Sequence, residues 1–434
     1  MPRAARRIAM FPLLGTRRFG PLFGVQFLGA FNDNLFRFGL LFLVTYRMLA
    51  DSPEQAAQLV SVASGLFILP FVLFSGLAGQ VADAVDKARA IRIIKFAEIL
   101  IMAAGGIAIW LGSIPFMLAV LFAMGLQSTF FGPIKYAIVP QHLEGREITA
   151  GTALIEAGTY VAILSGQMAG GLVTPMMLMI GIMLVSCAGY VAALAVPSAP
   201  PAEAGGRVQA NILASSWSVL QRVAQSRHLM LAALCGSWFW MIGIIFTSLF
   251  VPLVKNTLHA SEGVANLFVA AFSIGVALGS LLVGRLQRGR VGAGPLAPAL
   301  IVMAAASVDL YFAVNAFGGG DAELLMRPMD FLARGGGVRI LLDLTLFAIA
   351  GGAFIVPTYA ILMAYSEPAA RAQTIAGYNI MNSAAMVVGA LGAGALLSAG
   401  LGVSAVLLWT GLANLPVIGL ALWLRRALPP REVV

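Results

Sequence analysis

The chain has 434 residues, 60% of them hydrophobic and only 10% charged, with 27 Lys and Arg against 18 Asp and Glu. Soluble globular domains carry about 25% charged and about 45–50% apolar residues, so a soluble multidomain enzyme is excluded and a polytopic membrane protein is indicated. The net charge of +9 does not point to nucleic acid, because the basic residues are spread over the ends and short loops of apolar segments.

A bilayer core about 30 Å thick needs about 20 mostly apolar residues per spanning helix. Twelve runs meet that length, at approximately 21–50, 57–82, 90–112, 115–139, 149–173, 175–197, 228–254, 262–286, 294–316, 338–363, 373–398 and 401–424. The N-terminal arginines lead straight into a run too long for a signal-peptide core, with no small-residue cleavage site after it, so no signal peptide is expected.

The first run contains "FLGAFNDNLF" (27–36), with Asn32, Asp33 and Asn34 in its middle and Arg37 just beyond. A charge at mid-bilayer costs about 2.5–3.5 kcal/mol on insertion scales, so Asp33 should face the bundle interior and have a partner or a task. Asp33 and Arg37 are i and i+4, able to pair on one helix face. Two readings stand: an internal pair with helix–helix hydrogen bonds through Asn32 and Asn34, or a substrate or gating role.

After the second run, "GLAGQVADAVDKARAIR" brings Gly79, Asp83, Asp86, Lys87 and Arg89 to a short turn. Asp83 is placed to cap a neighbouring helix N-terminus and to pair with an arginine across a closing seam, a contact that would latch one conformation. The fourth run ends in "GPIKYA", whose Lys135 either snorkels to the interface or serves an anion. In the next loop, "HLEGRE" sets His142 and Glu147 five positions apart, resembling the His-x4-Asp of glycerolipid acyltransferases but with Glu for Asp. No folded domain surrounds it, and no catalysis is expected there. No P-loop, zinc pattern or nucleophile elbow is present either, so no cofactor, metal or ATP-driven step is implied.

Glu156, in "LIEAG" of the fifth run, is the most interior of the remaining ionisable groups, placed to line a cavity or to take a proton; Glu98, Arg285, Asp309 and Asp343 also lie in or near runs. Asn379 and Asn382, i and i+3 in the eleventh run, line a path or bond between helices. The glycines of "SGQMAGG" (165–171) and "GALGAGALLSAG" (389–400) suit close helix approach or bending. Cys187 and Cys235 fall in apolar runs and read as buried hydrophobes.

The long polar connection 198–227 separates six runs from six, defining halves 1–197 and 228–434. Val208, Ile212, Leu213, Val219, Leu220 and Val223 predict a short amphipathic helix within it. The loop 317–333 is the longest on the other side, with Met329, Phe331 and Leu332 resting on the membrane interface or covering helix ends. With both termini cytoplasmic, 21 of the 27 Lys and Arg fall on that side, five, Arg47, Lys255, Arg327, Arg334 and Arg339, on the other, and Arg37 inside the first span; the bias is that of the positive-inside rule. Faint similarity between "GPIKYAIVPQHLEGREITAG" and "GGAFIVPTYAILMAYSEPAARAQTIAG" suggests duplicated halves, which would place a substrate path at their interface.

The loop after the second run resembles the Gly-x-x-x-Asp-x-x-Gly-Arg-Lys signature of the major facilitator superfamily, with Asp86 where Gly is usual and Lys87 and Arg89 as the basic group. A narrower resemblance, carried by "QFLGAFNDNLF" (26–36), "FFGPIKYAIVPQHL" (130–143), "GTALIEAGTYVAILSGQMAGG" (151–171), "GSWFWMIG" (236–243), "GVALGSLLVGRL" (275–286) and "IAGYNIMNSAAMVVGA" (375–390), is to the lysophospholipid transporter family and the similar transporter half of transporter and acyltransferase fusions. It implies an all-α membrane protein of twelve transmembrane helices in two pseudo-symmetric six-helix bundles, in a bacterial inner membrane. It also implies rocking alternating access for a lysophospholipid such as lysophosphatidylethanolamine, among membrane lipids and beside a cytoplasmic acyltransferase. A phosphate and an ammonium ask for a cation and a carboxylate. Asp33 then suits the ammonium, Arg37 and Lys135 the phosphate, and Asn34, Glu156, Asn379 and Asn382 are further substrate-contact candidates. The alternative expectation is a proton-coupled exporter of amphipathic drugs or metabolites, with Asp33 or Glu156 as the protonating group. A third is a membrane partner that docks an acyltransferase without transporting.

Overall fold

The computed structural model describes residues 10–49, 52–202, 208–318 and 325–429. Within them the long apolar runs are all α-helical, and the one β interaction is an isolated bridge between Ala260 and Met326. Lipid offers the backbone no partner, so a spanning segment must satisfy its own N–H and C=O groups, as a helix does.

In chain order the helices are α1 Gly20–Leu43, α2 Pro53–Ala84, α3 Lys87–Trp110, α4 Ile114–Ala137, the short α5 Val139–His142, α6 Ile148–Leu172 and α7 Pro175–Leu194. Then come α8 Ile212–Gln225, α9 Arg227–Pro252, α10 Glu262–Leu286, α11 Leu296–Phe317, the short α12 Pro328–Ala333, α13 Gly335–Tyr365 and α14 Arg371–Ser398. Last is α15 Val403–Leu412, continuing into α16 Asn414–Ala427. Eleven segments among the described residues are long and apolar enough to cross a membrane. α1 makes the twelfth: its 24 residues are long enough, and Asn32, Asp33, Asn34 and Arg37 are what lower its hydropathy.

Local chemistry sets the helix ends. Proline occupies the first turn of α1, α2, α4 and α7, where its missing N–H costs nothing. Asp86, Thr174 and Asn211 cap α3, α7 and α8 through side-chain oxygens. Gly112, at φ 63°, follows the end of α3 in the left-handed region that favours glycine.

By internal contacts the chain divides into two compact units, Met1–Ser226 with Leu362–Ile380, and Arg227–Ile361 with Met381–Val434. In the first, α1 packs against α6 and α7, α2 against α4 and α8, and α3 against α4 and α7. Leu35, Phe36, Leu40, Met102, Leu121, Met124 and Ile182 are among its buried core residues. Two glycines of "SGQMAGG" set the α1–α6 distance: a side chain at Gly166 would strike the Phe31 carbonyl, and one at Gly170 the backbone of Gly39 and Leu35. In the second unit Phe246 stacks on Phe347 at 4.0 Å, and Phe250 and Phe272 extend the aromatic core. Gly279 and Gly352 allow α10 and α13 to touch backbone to backbone. Of the glycines at 389–400, Gly389 packs tightly, against Met241, while Gly392 and Gly394 face open space.

Several expectations change. Cys235 is buried, but Cys187 lies exposed on α7. α8 forms as expected, yet its apolar residues are split: Val219 and Val223 are buried, whereas Leu213 and Trp217 point outward. Phe331 is fully buried against Phe268 and Phe317, so that end of the 317–333 loop covers helix ends, while Met329 is exposed. Residues 203–207 of the connection, 319–324 of that loop, and Arg3, Arg6 and Arg7 lie outside the described residues.

Candidate functional site

α1 carries the polar residues of the first unit on facing surfaces. Asp33, half-buried, accepts from Ser128 Oγ of α4 at 2.6 Å. Asn32, fully buried, donates from Nδ2 to Glu98 Oε1 of α3 at 3.0 Å. Glu98 also takes Lys95 Nζ at 2.5 Å and Gln127 Nε2 at 3.1 Å, and both members of the Lys95–Glu98 pair are 1% exposed. A desolvated ion pair persists when further hydrogen bonds fill its remaining lone pairs, which Asn32 and Gln127 do here. Lys95 stands over the Phe131 ring at 5.2 Å and presses on Gly29, where any side chain would collide with its ammonium.

The expected Asp33–Arg37 pair is not formed. The spacing puts both residues on one face, but Asp33 is taken by Ser128. Arg37 instead extends toward α2, with Nη2 3.4 Å from Ser64 Oγ and the guanidinium 5.4 Å from the Phe67 ring centre. Asn34 donates to the Ala30 carbonyl of its own helix at 2.8 Å. Lys135 does not snorkel: its ammonium turns inward to Gln26 Oε1 at 3.3 Å, 4.8 Å above the Tyr136 ring, within the electrostatic field of Glu156 and Asp33. Gln26 is anchored to Thr159 Oγ1 at 2.6 Å and to the Ile155 carbonyl at 3.2 Å. Glu156 is 1% exposed and accepts from Tyr136 Oη at 2.5 Å.

The structure thus joins Asp33 to a network of α1, α3 and α4, and Lys135 to a second one of α1, α4 and α6. The Asn379 amide of α14 lies near Gly132, where an added Cβ would stand 3.4 Å from its nitrogen, three residues before Lys135. Asn382 accepts a long bond from Ser383 Oγ at 3.4 Å. Lys95, Gln127 and Ser128 escaped the sequence reading; an opposite-charge pair three residues apart inside an apolar run was the available signal for Lys95 and Glu98.

At the turn between α2 and α3, Asp83 accepts from the N–H groups of Ala372 and Gln373, both at 3.0 Å, capping the first turn of α14. The arginine beside it does not provide the expected pairing group: Arg371 Nε donates to the Met363 carbonyl at 2.8 Å, and Lys87 is the cation whose field reaches Asp83. Gly79 lets α2 close on α14, since a side chain there would strike Ala376. Asp86 accepts from Ser198 Oγ at 2.6 Å, Ala199 N–H at 2.9 Å and Arg89 N–H at 2.8 Å. Partial burial pushes the Asp86 carboxyl up, but these donors outweigh it and hold it below the usual carboxylate range. Lys87 is buried, and its N–H donates to the Ala199 carbonyl.

The His142–Glu147 decoy has a structural explanation, because Glu147 is held bidentately by Arg18 at 2.6 Å and accepts from the Glu144 N–H. A cavity of about 430 Å³ in the second unit is bounded by Ala313, Phe317, Arg334, Gly336 and Arg339. Its arginines are already engaged, Arg339 by Asp309 and Arg334 by the Gly318 carbonyl, so the polar networks of the first unit are the better candidate site.

A helical bundle of membrane-length apolar helices with charged groups turned inward on α1, α3, α4 and α6 is a multi-pass membrane protein with a polar interior. The Major Facilitator Superfamily sequence model matches residues 22–326, and the chain belongs to that family. It is similar to the "Lysophospholipid transporter LplT" of Serratia proteamaculans (strain 568), at 28% identity over 263 residues, covering 59% of this chain and 62% of the relative. Against the protein of that name from Yersinia pestis (strain Pestoides F) identity is 26% over 382 residues, 87% of this chain and 86% of the relative. The chain therefore spans less than two thirds of the first of these relatives and most of the second. Among solved structures, the human organic anion transporter MFSD10 (TETRAN) superposes with a TM-score of 0.74 at 14% identity, covering 93% of this chain and 99% of that one. The E. coli fucose:proton symporter FucP gives 0.67 at 15%, covering 94% and 98%. At such identities these two establish the fold alone.

Proposed function

We propose that this transporter moves lysophospholipids with an ethanolamine-type headgroup across the bacterial inner membrane by rocking alternating access, residues 1–197 and 228–434 being the moving halves and both termini cytoplasmic. The observation that carries the reading is that a half-buried carboxylate, Asp33, and a half-buried ammonium, Lys135, stand in two neighbouring polar networks of the first unit, Lys135 within the electrostatic field of Asp33. A zwitterionic headgroup presents the complementary charges, its ammonium for Asp33 and its phosphate for Lys135 and Arg37. Asn34, Glu156 and Asn379 complete the lining in this reading. Similarity to proteins named for lysophospholipid transport supports the substrate class. The Asp83 cap on α14, with Gly79, Asp86, Lys87 and Arg89 around it, is the gate: α2 and α14 part at this end only when the two N–H bonds break. A cytoplasmic acyltransferase is the class of enzyme that consumes the delivered lipid.

Proton-coupled export of amphipathic compounds is the second reading, favoured by Glu156, a buried carboxylate that accepts from the neutral Tyr136 hydroxyl. Purified protein in proteoliposomes separates the two. The first reading predicts movement of labelled lysophosphatidylethanolamine, with diacyl phosphatidylethanolamine excluded. Uptake of amphipathic cations driven by a pH gradient, without lysolipid movement, overturns it.

A further inference from the structure

Ser128 carries one hydroxyl proton and stands between two acceptors, Asp33 Oδ2 at 2.6 Å and Gln127 Oε1 at 3.1 Å. A hydroxyl donates one hydrogen bond at a time, so only one of these is made at any moment. The second acceptor is held in place. Gln127 Nε2 is tied to Glu98 Oε2, and Glu98 is in turn fixed by Lys95 and Asn32. Gln127, Glu98, Lys95 and Asn32 are all buried, whereas Asp33 and Ser128 are half-buried. The network therefore has a rigid interior end and an accessible end, with the hydroxyl at the junction.

We propose that Ser128 is a two-position hydroxyl switch, with Gln127 and Glu98 as its positioning residues, that releases Asp33 Oδ2 to the headgroup ammonium. When an ammonium reaches Asp33, the Ser128 proton turns to Gln127 Oε1, so the carboxylate exchanges one donor for another and the hydroxyl keeps a partner. A headgroup without an ammonium makes no such demand. Gln127 and Glu98 thus set headgroup preference without touching the lipid. The inference rests on the reading of Asp33 as the ammonium contact.

The test compares uptake of lysophosphatidylethanolamine and lysophosphatidylglycerol into proteoliposomes, the second lipid lacking the ammonium. Gln127→Leu removes the waiting acceptor. With one hydrogen bond lost on binding, KM for the ethanolamine lipid rises about fivefold, while kcat and the glycerol lipid are unaffected. Ser128→Ala acts in the opposite direction: Asp33 is freed in advance, and KM for the ethanolamine lipid falls. Ser128→Thr keeps the hydroxyl and behaves as the parent. Variants that shift both lipids equally, or both KM values in the same direction, overturn the switch. Asp33→Asn tells the two levels apart. If it weakens only the ethanolamine lipid while Gln127→Leu and Ser128→Ala do not diverge, the switch fails and the ammonium reading survives; if it affects both lipids alike, the ammonium reading itself fails.

Discussion

Lys95 and Glu98 stand one helical turn apart, out of reach of water, and neither can be removed alone without stranding the other. Breaking a buried pair costs about 3–5 kcal/mol. Lys95→Met is therefore expected to lower the thermal unfolding temperature of the purified protein sharply, and Lys95→Met with Glu98→Leu to recover part of the loss. Equal loss in the single and double variants would contradict the pairing. The residue scale is also where sequence reading met its limit. Asp33 announced itself as a charge in an apolar run, but its partner, Ser128, is 95 positions away on another helix. Arg37, four positions away, looked closer because i,i+4 spacing fixes only the backbone direction. Aromatic rings at Phe38 and Phe67 and the hydroxyl of Ser64 decided where its guanidinium went.

The long helices were legible, because apolar runs of bilayer length have no other way to satisfy their backbone, whereas the short α5 and α12 and the division of the last run into α15 and α16 were not. Their contacts were legible in part. The glycines at 166 and 170 do bring α1 and α6 together, and replacing either with Leu is expected to cost about 1–3 kcal/mol through overpacking, measured by thermal unfolding in detergent. The loop signature was read for an Asp83 cap on a neighbouring helix N-terminus together with an Asp83–arginine contact; the cap forms on the Ala372 and Gln373 N–H groups, while Arg371 turns to the Met363 carbonyl instead. A cap of this kind is worth about 1 kcal/mol. Asp83→Ala is thus expected to speed hydrogen exchange at the start of α14 about fivefold, and unchanged exchange would remove the gate assignment. Asp86 provides a pH readout at the same turn. Its folded-state pKa lies below the unfolded value of about 3.9, so its contribution is present above that pH and is lost as pH falls through the lower folded value. Asp86→Asn should reduce stability at pH 7 and make no difference once the medium is acid enough to protonate the parent residue.

At the scale of the molecule, membership in the Major Facilitator Superfamily and a helical, multi-pass fold stand together with a polar interior that no lipid-facing surface requires. Exposed Ile93, Phe96, Leu100 and Ile107 on α3 are suited to hydrocarbon, while Lys95 and Glu98 on the same helix are buried. That division between an apolar exterior and a charged interior is what a single-chain lipid needs if its headgroup is to cross apart from its tail. The most direct measurement is the rate at which labelled lysophosphatidylethanolamine crosses proteoliposomes containing the parent chain, Asp33→Asn or Lys135→Met, each confirmed folded by thermal unfolding. The proposed headgroup site predicts at least about a tenfold loss in both variants, as expected when a charge-assisted contact worth about 1.5–3 kcal/mol is removed. Crossing at the parental rate in both would contradict it.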